Sequence, residues 1–217
     1  MADAAAVRAR LVVVNPQAPA PDELAEAARV VRDGRLVAFP TETFYGLGAH
    51  ALDVEAVARV FRAKGRPADK PLLVLVDSLA MAGEIASPIP ERARRLIARY
   101  WPGPLTLILR ARPHVPAALT AGSGSVALRI PSHPVALALV RAAACPVTAP
   151  SANPHGGASP TTAGEVLAGL GDRVDLVLDG GATPGGPAST VLDLTGPRPR
   201  LLRPGAVRLT EADLAPE

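Results

Sequence analysis

RLVAFPTETFYGLGAHALDVEAVARVFR, residues 35–62, holds in one run the kinds of segment from which the rest of the chain is built. Residues 35–40 are apolar without helical spacing and end at Pro40, which predicts a strand. The polar and glycine-bearing TETFYGLG (41–48) follows as a connecting segment. Asp53 then predicts an N-cap, with Val54, Val57, Ala58 and Phe61 on one face of a helix reaching about Arg62. Strand, polar loop, helix is the unit of an α/β sheet.

The unit recurs on both sides. Upstream, residues 11–15 read as a strand and 21–33 as an amphipathic helix, opened by Pro21 and Asp22 and stopped by Gly34. Downstream, KGRPADKP (64–71) breaks the helix, so Lys64 and Arg66 are expected on a loop. Residues 72–77 follow as a buried strand, then two helices, the second over 90–100 before Trp101-Pro-Gly-Pro. Strands at 105–109 and 125–130, a helix at 133–144 and a strand at 146–150 lead into the loop SANPHGG. A helix at 161–170 and a strand at 174–179 precede GGATPGGPA (180–188), and strands at 189–194 and 200–203 close the chain. The order predicts α/β architecture with a mixed parallel and antiparallel sheet and flanking helices. No repeat or linker divides it. The expectation is a frayed segment 1–10, one domain over 11–208 and a tail over 209–217.

Composition narrows the function. The chain has 217 residues, 48% apolar and 20% charged, enough for a real core, but only 3% aromatic, too few to tile a base-stacking surface. One cysteine, Cys145, excludes an intramolecular disulfide and a thiolate zinc cluster, and four scattered histidines show no metal spacing. Neither a bilayer-length apolar run nor a basic leader is evident, so a soluble cytoplasmic protein without a membrane partner is expected. P-loop and nucleophile-elbow motifs are absent; GSGSVA (122–127) precedes a strand where a dinucleotide fingerprint would follow one.

Charge is informative by location. The net charge is +3, yet Arg59, Arg62, Lys64, Arg66 and Lys70 against Asp69 put +4 into twelve residues. Lys64 and Lys70 are the only lysines among 23 basic residues, which points to compact charges placed for a polyphosphate. Around this stretch, strand ends present hydroxyls and cations: Thr41 and Thr43 flanking Glu42, Arg129 after SVAL, Ser151 and Asn153 after a buried strand, Ser189 and Thr190, and Arg203. Such strand ends are where α/β sheets build sites. Each pattern equally serves a polar turn, an Asx or Ser turn, a solvated loop or a structural salt bridge.

FPTETFYGLG, KGRPADKPL, WPGPLT, SVALRIPSHP, APSANPHGGASPT, STVLDLT and LLRPG, in this order, resemble the YrdC family, whose members include L-threonylcarbamoyladenylate synthases. The resemblance runs from about residue 11 to 207. It implies a twisted mixed sheet around a concave basic cleft in the single-domain form of the family. It also implies the reaction of ATP, L-threonine and bicarbonate to threonylcarbamoyl-AMP and pyrophosphate, with Mg2+ carried by ATP and no protein-held metal. A downstream tRNA threonylcarbamoyl transferase complex then modifies the adenosine beside the anticodon, and weak tRNA binding is an accompanying expectation. By the family pattern Lys64 and Arg66 (KxR) with Ser151 and Asn153 (SxN) mark the catalytic cleft. Thr43, Arg129, Ser151 and Ser189 fall at threonine contacts. Lys64, Arg66, Lys70, Ser125, Asn153, Thr161 and Arg203 fall at ATP contacts. Leu75 stands where many relatives carry His, Lys70 where Asn is common and Phe44 where Val is common. The alternative reading is an RNA-binding translation or ribosome-maturation factor using the same basic cleft.

Overall fold

A computed structural model describes residues 9–67 and 70–215. Residues 1–8 of the expected N-terminal segment, Asp69 of the cationic stretch and the last two residues of the tail lie outside them. The elements, in chain order, are β1 (Arg10–Val13), α1 (Pro21–Arg32), β2 (Val37–Pro40), β3 (Tyr45–Gly48), α2 (Val54–Lys64), β4 (Leu73–Leu75), α3 (Leu79–Ile85), α4 (Glu91–Tyr100) and β5 (Leu105–Arg110). Then follow α5 (Ala117–Thr120), β6 (Ser125–Arg129), α6 (Pro134–Ala143), β7 (Val147–Thr148), α7 (Ala163–Leu170), β8 (Leu176–Asp179), β9 (Thr190–Asp193), β10 (Arg200–Arg203) and α8 (Glu211–Leu214).

The strands form a four-stranded sheet, β1-β8-β2-β3, and a six-stranded sheet, β10-β9-β5-β6-β4-β7. Parallel pairs (β1 with β8, β2 with β8, β4 with β6, β5 with β9) mix with antiparallel ones, as the alternation of elements predicts. Backbone bonds stitch β3 to residues 146–152: Leu47 N donates to Pro150 O (2.8 Å), Ala152 N to Tyr45 O (2.8 Å) and Thr148 N to Ala49 O (2.9 Å). The two sheets therefore meet along a seam, and the chain's aromatic poverty is met by a core of Ala, Val and Leu around Phe39 and Tyr45.

Three local expectations change. TETFYGLG is a connecting segment only as far as Phe44. Tyr45–Gly48 is a fully buried strand antiparallel to β2, with Pro40 opposite Tyr45 and Val37 opposite Gly48. Its glycines are packing glycines: a Cβ on Gly48 would stand 2.7 Å from Cε1 of Phe39. Second, α2 extends two residues past Arg62, because its stop is Gly65, left-handed at φ +59°. Lys64 is thus the buried last residue of a helix instead of a loop residue. Third, a single turn, α5, forms over Ala117–Thr120 where nothing regular was expected. Part of the expected tail also packs back: the carboxylate of Asp213 in α8 accepts from Tyr100 Oη (2.7 Å) and Arg99 Nη1 (3.3 Å).

Candidate active site at the seam

A cavity of about 300 Å3 opens beside the seam. Its floor is one face of the six-stranded sheet. On β6, Ala127 and Arg129 face it while Val126 and Leu128 enter the core, the period-two alternation of a strand. Ala127 pairs with Leu73 on one side and with Ile108 on the other, and Thr106 pairs with Val191, so four strands contribute a row of short or apolar side chains. The walls are polar. Thr41, Thr43, Tyr45, Thr106, Ser151, Ser159 and Ser189 bring hydroxyl-bearing side chains, and Arg66, Arg129 and Arg203 bring guanidinium groups.

The TET turn is locked by one hydroxyl. Thr41 Oγ1 donates to Phe44 O (2.7 Å), accepts from the amides of Thr43 (3.2 Å) and Phe44 (3.3 Å), and lies 3.1 Å from Thr43 Oγ1. Thr41 and Thr43 thereby reach the cavity while Glu42, between them, does not line it. Instead Glu42 Oε1 stands 3.3 Å from Arg129 Nη1. Burial disfavours the charged form of Arg129 and neighbouring Arg203 adds to this, whereas Glu42 opposes it.

KxR and SxN are joined by a single ammonium. Lys64 Nζ donates to Ser151 O (2.5 Å) and Asn153 O (2.6 Å) and reaches Asn153 Oδ1 at 3.4 Å. The amide of Asn153 in turn donates to Pro154 O (2.9 Å) and Gly157 O (2.7 Å), and His155 N donates to Lys64 O (2.7 Å). Desolvation, with a further push from Arg66, lowers the Lys64 pKa to about 8. The three N–H groups of Lys64 are thus directed at the SxN loop, and Lys64 and Asn153 sit behind the wall rather than on it. Arg66 is on the wall and donates from Nη2 to Pro71 O (3.0 Å).

The opposite wall is built the same way. Arg203 donates from Nε to Ser189 O (3.0 Å) and from Nη2 to Ser189 Oγ (2.9 Å), and that hydroxyl lies 2.9 Å from Thr106 Oγ1. The glycine-rich loop after β8 is moored across the site, with Gly185 N on Thr43 O (2.9 Å), Thr183 N on Thr161 O (2.8 Å) and Tyr45 Oη on Gly181 O (2.7 Å).

Of the residues given a catalytic, threonine or ATP role in the sequence, Thr43, Arg66, Arg129, Ser151, Ser189 and Arg203 therefore converge on one cavity, joined by Thr41. Ser125 shares the face of Ala127 and Arg129 but lies further along β6, beyond the cavity, near Ser123 Oγ (2.8 Å). Thr161 is engaged with Glu165 Oε2 (2.6 Å from its amide), and Lys70 is exposed; neither lines the cavity. Sequence reasoning missed Thr106, a lone hydroxyl in the apolar strand LTLIL, and the engagement of Arg129 by Glu42. Leu75, beside Arg129 in parallel register, is wholly buried. Among the described residues no three His, Cys, Asp or Glu side chains converge as a metal site, and no helix is long and apolar enough to cross a membrane.

A family model for Sua5, YciO and YrdC proteins, described as telomere recombination, matches residues 29–205. A Pyrococcus abyssi protein named threonylcarbamoyl-AMP synthase is 49% identical over 187 residues, covering 86% of this chain and 55% of its own length. A Bacillus subtilis protein of the same name is 46% identical over 186 residues, 85% of this chain and 54% of its own. The crystal structure of P. abyssi Sua5 complexed with L-threonine superposes with a TM-score of 0.90 at 46% identity, over 94% of this chain and 59% of that one. The chain spans about half the length of these relatives.

Proposed function

Because the chain belongs to the Sua5/YciO/YrdC family, we propose that it is an L-threonylcarbamoyladenylate synthase, joining L-threonine, bicarbonate and ATP into threonylcarbamoyl-AMP with release of pyrophosphate. One observation carries this reading. The cavity wall holds three guanidinium groups among hydroxyls and, among the described residues lining it, no carboxylate. Such a lining suits reactants that are all anionic where they must meet. The carbamate of threonine is an anion, and it must approach the α-phosphate of ATP, so mutual repulsion is a large part of the barrier. Fixed cations in a pre-formed cavity lower that barrier, each by a few kcal/mol.

Arg129 takes the threonine carboxylate, with Thr43, Ser151 and Ser189 completing the threonine contacts. Arg66 and Arg203 meet the phosphates, Thr161, Ser125 and Lys70 extend the ATP contacts outward, and Asn153 supports the phosphate side from behind the wall. Lys64 acts through the loop it holds: its ammonium sets the positions of Ser151 and Asn153. Mg2+ would enter as part of the ATP substrate and would offset phosphate charge there; hydroxyls and guanidinium groups fit a metal brought by phosphate better than one held by protein. The product passes in the cytoplasm to a tRNA threonylcarbamoyl transferase complex. The RNA-binding factor is not favoured, since the relatives are named as synthases.

The test is pyrophosphate release by purified protein. Release is expected only with threonine, bicarbonate and Mg-ATP together, and release that ignores threonine would refute the assignment.

A further inference from the structure

Two arginine–carboxylate pairs in this molecule look alike by distance and differ in geometry. Arg35 donates to Asp175 Oδ1 from both Nε (3.1 Å) and Nη2 (3.0 Å), and Asp175 Oδ2 also accepts from Leu36 N (2.8 Å) and Arg59 Nη2 (3.0 Å). That is how a structural ion pair is satisfied. Arg129 and Glu42 come within 3.3 Å but form no hydrogen bond; Glu42 Oε1, Glu42 Oε2 and Arg129 Nε are all buried without a hydrogen-bond partner. Leaving buried charged groups so poorly satisfied is unfavourable for folding alone. The arrangement has a use if charge and hydrogen bonds are to be separated. Arg129 is 2% exposed and its guanidinium lies near Arg203, so it needs a counter-charge to remain in the wall. A counter-ion bonded as a fork would consume the N–H groups that a ligand requires.

We propose that Glu42 is a positioning residue: its carboxylate neutralises and holds the Arg129 guanidinium in the cavity wall while leaving its N–H groups for the carboxylate of an α-amino acid substrate. The proposal rests on the synthase reading, because it takes threonine as the ligand of Arg129. The locked TET turn supplies the means, fixing Glu42 behind the wall and Thr41 and Thr43 on it.

The experiment is steady-state kinetics of the full chain with threonine and ATP varied separately. Glu42→Gln is expected to raise the KM for threonine tenfold or more while the KM for ATP stays within twofold. Glu42→Asp, which keeps the charge, should fall between that variant and the parent. In an Arg129→Gln background, Glu42→Gln should add less than twofold. An unchanged threonine KM in Glu42→Gln, an equal rise for ATP, or an undiminished effect without Arg129 overturns the proposal. Should Glu42→Gln fail to fold, Glu42→Asp decides: a threefold or greater rise in threonine KM is expected, and an unchanged one refutes. A parent protein that binds threonine yet releases no pyrophosphate would sink the synthase reading alone, and the same variants would then be read by threonine dissociation constants. A parent that binds no threonine would overturn both.

Discussion

Replacing Lys64 by Met tests how the KxR and SxN segments are held together. Lys64 is 3% exposed, and its pKa falls from an ordinary 10.5 to about 8, chiefly through desolvation and then through Arg66. At 1.36 kcal/mol per pH unit, that difference corresponds to about 3 kcal/mol of penalty on the charged form. The folded value lies below the unfolded one, so between about pH 8 and 10.5 the unfolded chain keeps a proton that the folded chain has released. Stability must therefore rise with pH across that window, and the penalty is fully present below it. A neutral amine still has two N–H groups for Ser151 O and Asn153 O, so the clamp can outlast the charge. The Met variant cannot titrate there. The assay is urea unfolding of parent and Lys64→Met from about pH 7 to 10. The stability of the parent minus that of the variant should grow by roughly 2–3 kcal/mol over that range. A flat difference, or one that shrinks as pH rises, would refute the buried-ammonium argument, whatever the absolute stability of the variant.

Two further outcomes follow from the opposite wall. Gly205→Ala would place a Cβ 2.2 Å from Ala188 O and 2.6 Å from Thr190 N, against backbone that cannot rotate away. Thermal unfolding should report a loss on the order of 1–3 kcal/mol or more, and an unchanged midpoint would contradict that close approach. Ser189→Ala removes the hydroxyl shared by Arg203 and Thr106, which should cost about 1 kcal/mol of stability and raise the threonine KM more than the ATP KM, measured by denaturation and kinetics on one sample.

The strands that form the floor were legible because runs such as LTLIL and SVALR carry their own periodicity, and the mixed sheet followed from the order of elements. Strand β3 was not, since Gly46 and Gly48 resemble loop punctuation until Phe39 and Ala149 are seen packed against them. Six of the residues given a site role do converge: strand ends on one side of a sheet share a location, and Arg66 joins them from the loop after α2. The place of Lys64 differs for a local reason: Gly65 allows two more residues of helix than Pro67 and the charged run suggest. The pairing of Glu42 with Arg129 spans 87 positions, and no periodicity or capping rule reaches that far. Ser125 was named from family pattern alone, and strand geometry carries it past the rim of the cavity.

The strand order β1-β8-β2-β3 inserts a segment from the last quarter of the chain between two of the first strands. Synthesis thus delivers β1 and β2 long before the strand that separates them exists. Until residue 179 or so has emerged from the ribosome, that sheet lacks its centre, and until residue 203 has emerged the guanidinium of Arg203 is missing from the site. A nascent chain stalled before that point, or a fragment clipped there, carries most of the motifs but lacks the wall that Ser189 and Arg203 complete.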